Sequence, residues 1–203
     1  MCKAIKNTWL NKSNILKFNF NFDSINQYYF KMKHITLIII ASFLLSTFIN
    51  AQNVKFHDNL SKCRKELDLC KEKNDKASKH IKSVIKADDL EKAKNQANSI
   101  ENMLSNIGNN LKDAKKDYKN AKKEAKDWGC ENTVVLMDKT EKDFDELDKI
   151  VKKAENLMHD ANKEKKAGKI NSKGKKVKKM LKEIGSALKS LFKEIETINE
   201  SCT

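Results

Sequence analysis

The chain has 203 residues, with 42 Lys+Arg against 28 Asp+Glu and a formal charge of +14. It has no proline, only five glycines, and 34% charged residues. Such a chain lacks the turn residues that sheet proteins use, and collagen-like, Pro-rich and Gly/Ser-linker architectures are excluded too. What remains is a protein of long helices, one domain or at most two small ones.

Residues 1–31 have no clear periodicity and none of the character of a targeting signal. They read as an extension upstream of a start at Met32, the alternative being an unusually long basic leader. Residues 35–49, ITLIIIASFLLSTFI, are uncharged and mostly apolar; Lys31, Lys33 and His34 precede them and Ala51 follows Asn50. A basic start, a short apolar run and a small residue at the end make 32–51 a secretory signal peptide. The run is shorter than the roughly 20 apolar residues that span a bilayer. A type II anchor is the competing reading. On the signal-peptide reading no transmembrane anchor remains after cleavage. Residues 52–203 then form a single helical domain, secreted to the extracellular space or, in a bacterium, to the periplasm.

Four cysteines follow the cleavage point: Cys63, Cys70, Cys130 and Cys202. An even number in an exported chain implies two disulfides. Cys63 and Cys70 are seven residues apart, about 10.5 Å along a helix. That exceeds the roughly 7 Å Cα separation a disulfide tolerates. Each is therefore expected to pair with Cys130 or Cys202, in either connectivity. No C-x-x-C occurs, so redox, zinc-ribbon and haem-attachment motifs are missing.

Apolar residues recur at alternating spacings of three and four. The first row runs Phe56, Leu60, Cys63, Leu67, Cys70, Asn74, Ala77, Ile81 and Val84. Asn74 in that row either fixes helix register or sits at a solvated edge. A second row extends from Leu90 through Leu104 and Tyr118 to Trp128, and a third from Met137 through Phe144 and Val151 to Ala161, widened by Leu136, Ile150 and Leu157. A fourth extends from Val177 through Leu188 to Cys202. Asp88 with Glu91 resembles a capping box, Gly129 suits the left-handed stop after the second helix, and Gly168 is expected to end the third, with Asn171 or Ser172 capping the fourth. The fold class is all-α: an antiparallel up-down-up-down four-helix bundle with heptad, coiled-coil-like packing. Two disulfides are expected to staple one end, which requires all four cysteines to converge there.

Six Lys and one Asp precede Gln52, so the charge of the exported chain falls to +9. Residues 163–182, KEKKAGKINSKGKKVKKMLK, hold ten Lys and one Glu and carry the whole of that excess. The lysines are Lys163, Lys165, Lys166, Lys169, Lys173, Lys175, Lys176, Lys178, Lys179 and Lys182, with Lys79, Lys82 and Lys86 approaching the same end from the first helix. They form a candidate anion-binding surface for a membrane, a polyanionic glycan or an acidic protein. The bland reading is a solvated lysine cap. Specific nucleic-acid recognition is not expected, because the stretch has no Arg for bidentate base readout and no aromatic residue for stacking.

Residues 175–198 form a cationic amphipathic pattern, so a membrane-active or toxin-like role, as in a host-directed component of saliva or venom, is one alternative. An extracytoplasmic holdase chaperone is another. His57, His80 and His159 have no metal-ligand spacing, and no nucleophile motif or phosphate loop occurs. No cofactor, metal or enzymatic activity is expected, and a monomer is. Asn59 and Asn199 stand in glycosylation sequons, relevant in a eukaryotic source.

Overall fold

The computed structural model describes residues 22–202, with side chains described for 36–42 and 54–202. Most of the 1–31 extension therefore lies outside the described residues. The chain divides into two compact units, Met1–Ser46 and Thr47–Thr203. Four helices are described: α1 (Phe22–Lys86), α2 (Leu90–Asp127), α3 (Glu131–Asn162) and α4 (Ala167–Ser201). No strand occurs among the described residues. In the first unit, Leu37, Ile38, Ile39 and Ile40 are each more than half exposed. No helix among the described residues is long and apolar enough to cross a membrane.

The second unit holds the core, and its buried residues are the rows read from the sequence. All nine members of the first row, Phe56 to Val84, are at most 3% exposed, including Asn74. In α2 the buried residues run from Ala93 to Ala125, while Leu90 and Trp128 at its ends are half-buried. In α3 they run from Thr133 to Ala161, and in α4 from Ile170 to Ile198. A helix turns once in 3.6 residues, so spacings of three and four keep each row on one face and leave the lysines and carboxylates outside. Leu136 departs from its expected role: it is 40% exposed, because it lies beside the buried row of α3 and not in it.

Contacts fix which helices are neighbours. Cys70 of α1 faces the Ile107 carbonyl of α2. Tyr118 of α2 is fully buried, donates to the Met137 carbonyl of α3 at 3.1 Å, and packs its ring 5.2 Å from Phe144. Thr133 of α3 bonds Ser201 of α4 at 3.0 Å. Between α1 and α4, Arg64 pairs with Glu196 at 2.9 Å, and a Cβ at Gly185 would stand 3.2 Å from the Asn74 amide nitrogen.

The breaks have local causes. Asp89 caps α2 by accepting from Lys92 N–H at 2.8 Å, one residue later than the Asp88 expectation. Glu91 is then in the first turn, where its charge favours the helix dipole. After α2, Gly129 N–H bonds the Lys126 carbonyl and Cys130 N–H bonds the Ala125 carbonyl, each at 3.0 Å. These two bonds are the Schellman closure, and they need the left-handed φ of +78° that Gly129 adopts.

The two-disulfide expectation is corrected. Cys130 is bonded to Cys202, with Cα atoms 5.9 Å apart, while Cys63 and Cys70 are buried thiols. The four cysteines do not converge. Cys130 and Cys202 flank helix ends, whereas Cys70 lies against Ile107, about 34 Å by helical rise from Cys130 along α2. Both thiols occupy fully buried places in the first row. Burial raises their pKa values, to about 12 for Cys70, with Asp117 adding to the shift at Cys63. They behave as small apolar side chains and not as nucleophiles.

Along the α2–α3 seam Lys122 stands 2.5 Å from Asp138 and 2.7 Å from Glu141, and Lys119 adds a contact to Glu141 at 3.3 Å. Hydrogen bonding to Lys122 holds the Glu141 carboxyl below its usual range, and Asp138 and Glu141 together raise Lys122.

Two outcomes follow. Within residues 52–203, a thiol reagent should label no cysteine rapidly in the native protein and two in denaturant, Cys63 and Cys70. The depressed Glu141 carboxyl contributes stability at neutral pH that is lost as pH falls through its folded value, whereas the raised Lys122 loses its contribution only in strong alkali. Lys122→Met should therefore cost up to about 1 kcal/mol at pH 7. It should also flatten the fall in stability measured by urea unfolding as pH drops below roughly 4.

Candidate lysine-rich functional site

The site begins where α3 ends. Residues 163–166 form the turn, and α4 starts at Ala167, earlier than the expected cap at Asn171 or Ser172. Gly168 lies inside α4, so Lys169 and every later lysine of the cluster ride on one helix. Lys166 is the N-cap but makes no side-chain capping bond, and the first turn of α4 has no acidic residue. The helix thus starts with its positive dipole end uncompensated by any carboxylate of its own.

The scaffold beneath is well fixed. Ile170, Gly174, Val177 and Leu181 are buried and hold α4 against the rest of the unit. Asn171 donates to the Ala87 carbonyl at 3.2 Å, which ties the start of α4 to the end of α1. Gly174 allows the closest approach: a Cβ there would lie 3.0 Å from Val84 Cγ1 and 3.4 Å from Ile85 Cγ1.

Nine of the ten lysines are exposed. Lys173 is the exception. Its ammonium donates to the Asp160 carbonyl at 3.0 Å and stands 2.9 Å from Glu164, with Lys169 on the same carboxylate at 3.7 Å. These lysines, Lys173 foremost, hold the Glu164 carboxyl below its usual range. Glu164, the one acid of the stretch, is thereby used up within it. Among the described residues Lys163, Lys165, Lys166, Lys175, Lys176, Lys178, Lys179 and Lys182 have no ion pair. Several are three or four apart on α4, such as Lys175 with Lys178 and Lys179, and so repel one another.

Neighbouring lysines add to this field. Lys79, Lys82 and Lys86 of α1 are exposed, and the α1 segment between them packs on Gly174. The arrangement can attract and hold polyanions through many hydrated point charges. It has no planar guanidinium to impose geometry on a single anion. The sequence located the lysines; it did not reveal the clamp on Glu164, which depends on how the turn folds back.

The other singled-out residues fall elsewhere. The apolar face of 175–198 is in the core, with Leu181, Ile184, Leu188, Leu191, Ile195 and Ile198 at most 2% exposed. Asn59 is half-buried, and Asn199 is exposed with its amide oxygen 2.7 Å from His57 Nδ1. His159 engages Glu101, and His80 lies near Gln96. Among the described residues no group of three or more His, Cys, Asp or Glu side chains is placed to hold a metal ion.

Gly174→Leu should lower stability by about 1–3 kcal/mol, because the added side chain meets Val84 and Ile85 across a seam already in contact. Thermal unfolding followed by circular dichroism checks this. In comparisons with known proteins, no family model, no curated protein and no solved structure matches this chain.

Proposed function

We propose that the chain is an exported, non-enzymatic binding protein whose lysine-rich turn and first turns of α4 engage an anionic macromolecular surface. The observation that carries this reading is the set of eight lysines without ion pairs within residues 163–182. Like charges held three or four residues apart at a positive helix end raise the free energy of the unbound helix. A polyanion or anionic membrane relieves that repulsion, and binding and stability then rise together.

Export is supported by the Cys130–Cys202 disulfide, which suits an oxidising compartment. It is supported also by the exposed run Leu37–Ile40, a surface that a soluble chain sheds or covers. The architecture we propose for Thr47–Thr203 is an antiparallel up-down-up-down four-helix bundle with heptad packing. Its support is the reversed residue order across the α1–α2 and α1–α4 seams: Cys70 meets Ile107 and His80 meets Gln96, while Asn74 meets Gly185 and Val84 meets Gly174. In this bundle the disulfide and the lysine cluster lie at opposite ends, separated by the 32 residues of α3. Burial of the apolar face of α4 favours a binding surface over a membrane-lytic helix.

The test is retention on heparin and co-sedimentation with vesicles containing anionic lipid. Both should weaken as salt rises, and Lys175→Glu with Lys176→Glu and Lys179→Glu should reduce affinity about tenfold or more without lowering thermal stability. Equal, salt-insensitive retention of wild type and variant would overturn the reading.

A further inference from the structure

A groove of about 370 Å³ lies between α1 and α4, away from the lysine turn, with Asn74, Gly185, Leu188 and Phe192 among its walls. Its origin is local. In the layer where α1 places Asn74, α4 offers Gly185, which has no side chain to fill the seam. Gly185, Leu188 and Phe192 stand three and four residues apart and form one stripe on α4. Leu188 is 1% exposed and Phe192 is half-buried against the core, so the α4 wall is apolar and carries an aromatic ring.

The α1 wall carries a polar group with an unmet need. Asn74 is 3% exposed, and its amide oxygen has no hydrogen-bond partner. A buried acceptor left unpaired is costly, and only a donor removes that cost. The amide nitrogen faces the place a Cβ at Gly185 would take, 3.2 Å away. The terminal torsion of an asparagine is broad, so the oxygen turns toward that gap when a donor lies in it.

The rim is electrically balanced. Lys71 and Lys189 stand against Asp68 and Asp75, and the charge of Arg64 is taken by Glu196 at 2.9 Å. A balanced rim gives an ion of either sign no net attraction, and an ion loses hydration on entering an apolar groove. The groove therefore selects a neutral molecule that can donate.

We infer that this groove is a binding site for a small neutral aromatic molecule carrying one N–H or O–H donor. Its ring lies against Leu188 and Phe192, and its donor meets the Asn74 amide oxygen. The volume is in the range of small-molecule sites. The groove shares no residue with the lysine cluster, and the two stand or fall independently.

The probes are indole and benzofuran, which have the same bicyclic shape; indole has an N–H donor where benzofuran has an ether oxygen. Each is titrated into the full chain and followed by backbone amide NMR shifts. Saturable shifts centred on Gly185 and Leu188 are expected, with indole bound about fivefold tighter or more. Added salt should change neither affinity, because neither probe is charged. Asn74→Leu, similar in size but without the acceptor, should erase the preference for indole. Lys175→Glu with Lys176→Glu should leave both affinities unchanged. No saturation by indole up to about 5 mM would overturn the inference. So would equal affinity for the two probes in the wild type, the mark of a groove that takes apolar rings without using Asn74. A preference for indole that survives in folded Asn74→Leu would overturn it as well.

Discussion

Burial of four apolar rows at alternating spacings of three and four residues is the constraint on which the rest of the structure depends. Each row is too narrow to be stable alone, and each helix hides it only by pressing it against its neighbours. Side chains such as Tyr118, Phe144, Leu104 and Ile81, all fully buried, gain their stabilisation from water exclusion and close contact. The lysines can crowd one surface because this core, and not surface pairing, holds α4 in place. A helix with five lysines between residues 175 and 182 would be a poor helix in isolation.

The ends of the helices are handled by different means. The α1–α2 turn uses a side-chain cap, Asp89, and the α2–α3 turn uses backbone bonds enabled by Gly129. The α3–α4 turn has no side-chain cap and no left-handed glycine, only short backbone bonds such as Glu164 N–H to the Ala161 carbonyl at 3.1 Å. It relies on Lys173 reaching back to the Asp160 carbonyl and to Glu164, and on Asn171 reaching the Ala87 carbonyl. The least capped turn is therefore also the most highly charged one.

The core rows were legible because a 3.6-residue period leaves an unambiguous trace when no proline interrupts it, and nearly every residue placed in a row is buried. Asn74 was visible as an oddity in its row, but its opposite number, Gly185, was not, since pairing across a seam depends on the axial offset of two helices. The same offset defeated the cysteine argument. Spacing alone places Cys63 and Cys70 on the buried face of α1, yet only the contact of Cys70 with Ile107 shows how far along the axis they lie from Cys130. Helix starts moved by one to several residues: Asp88 and Asp89 compete for the α2 cap, and α4 begins after Lys166 with no side-chain cap to mark the place.

The Cys130–Cys202 disulfide closes a ring through α3, the lysine turn and α4, its ends 72 residues apart in sequence. Lysine is the residue at which trypsin-like proteases cut, and the ring contains the exposed turn at Lys163, Lys165 and Lys166. A single cut there opens the backbone but sheds nothing, because the two pieces stay joined through sulfur and by the buried rows of α3 and α4. The lysine-rich turn could be nicked in a protease-rich environment and still remain attached to its scaffold.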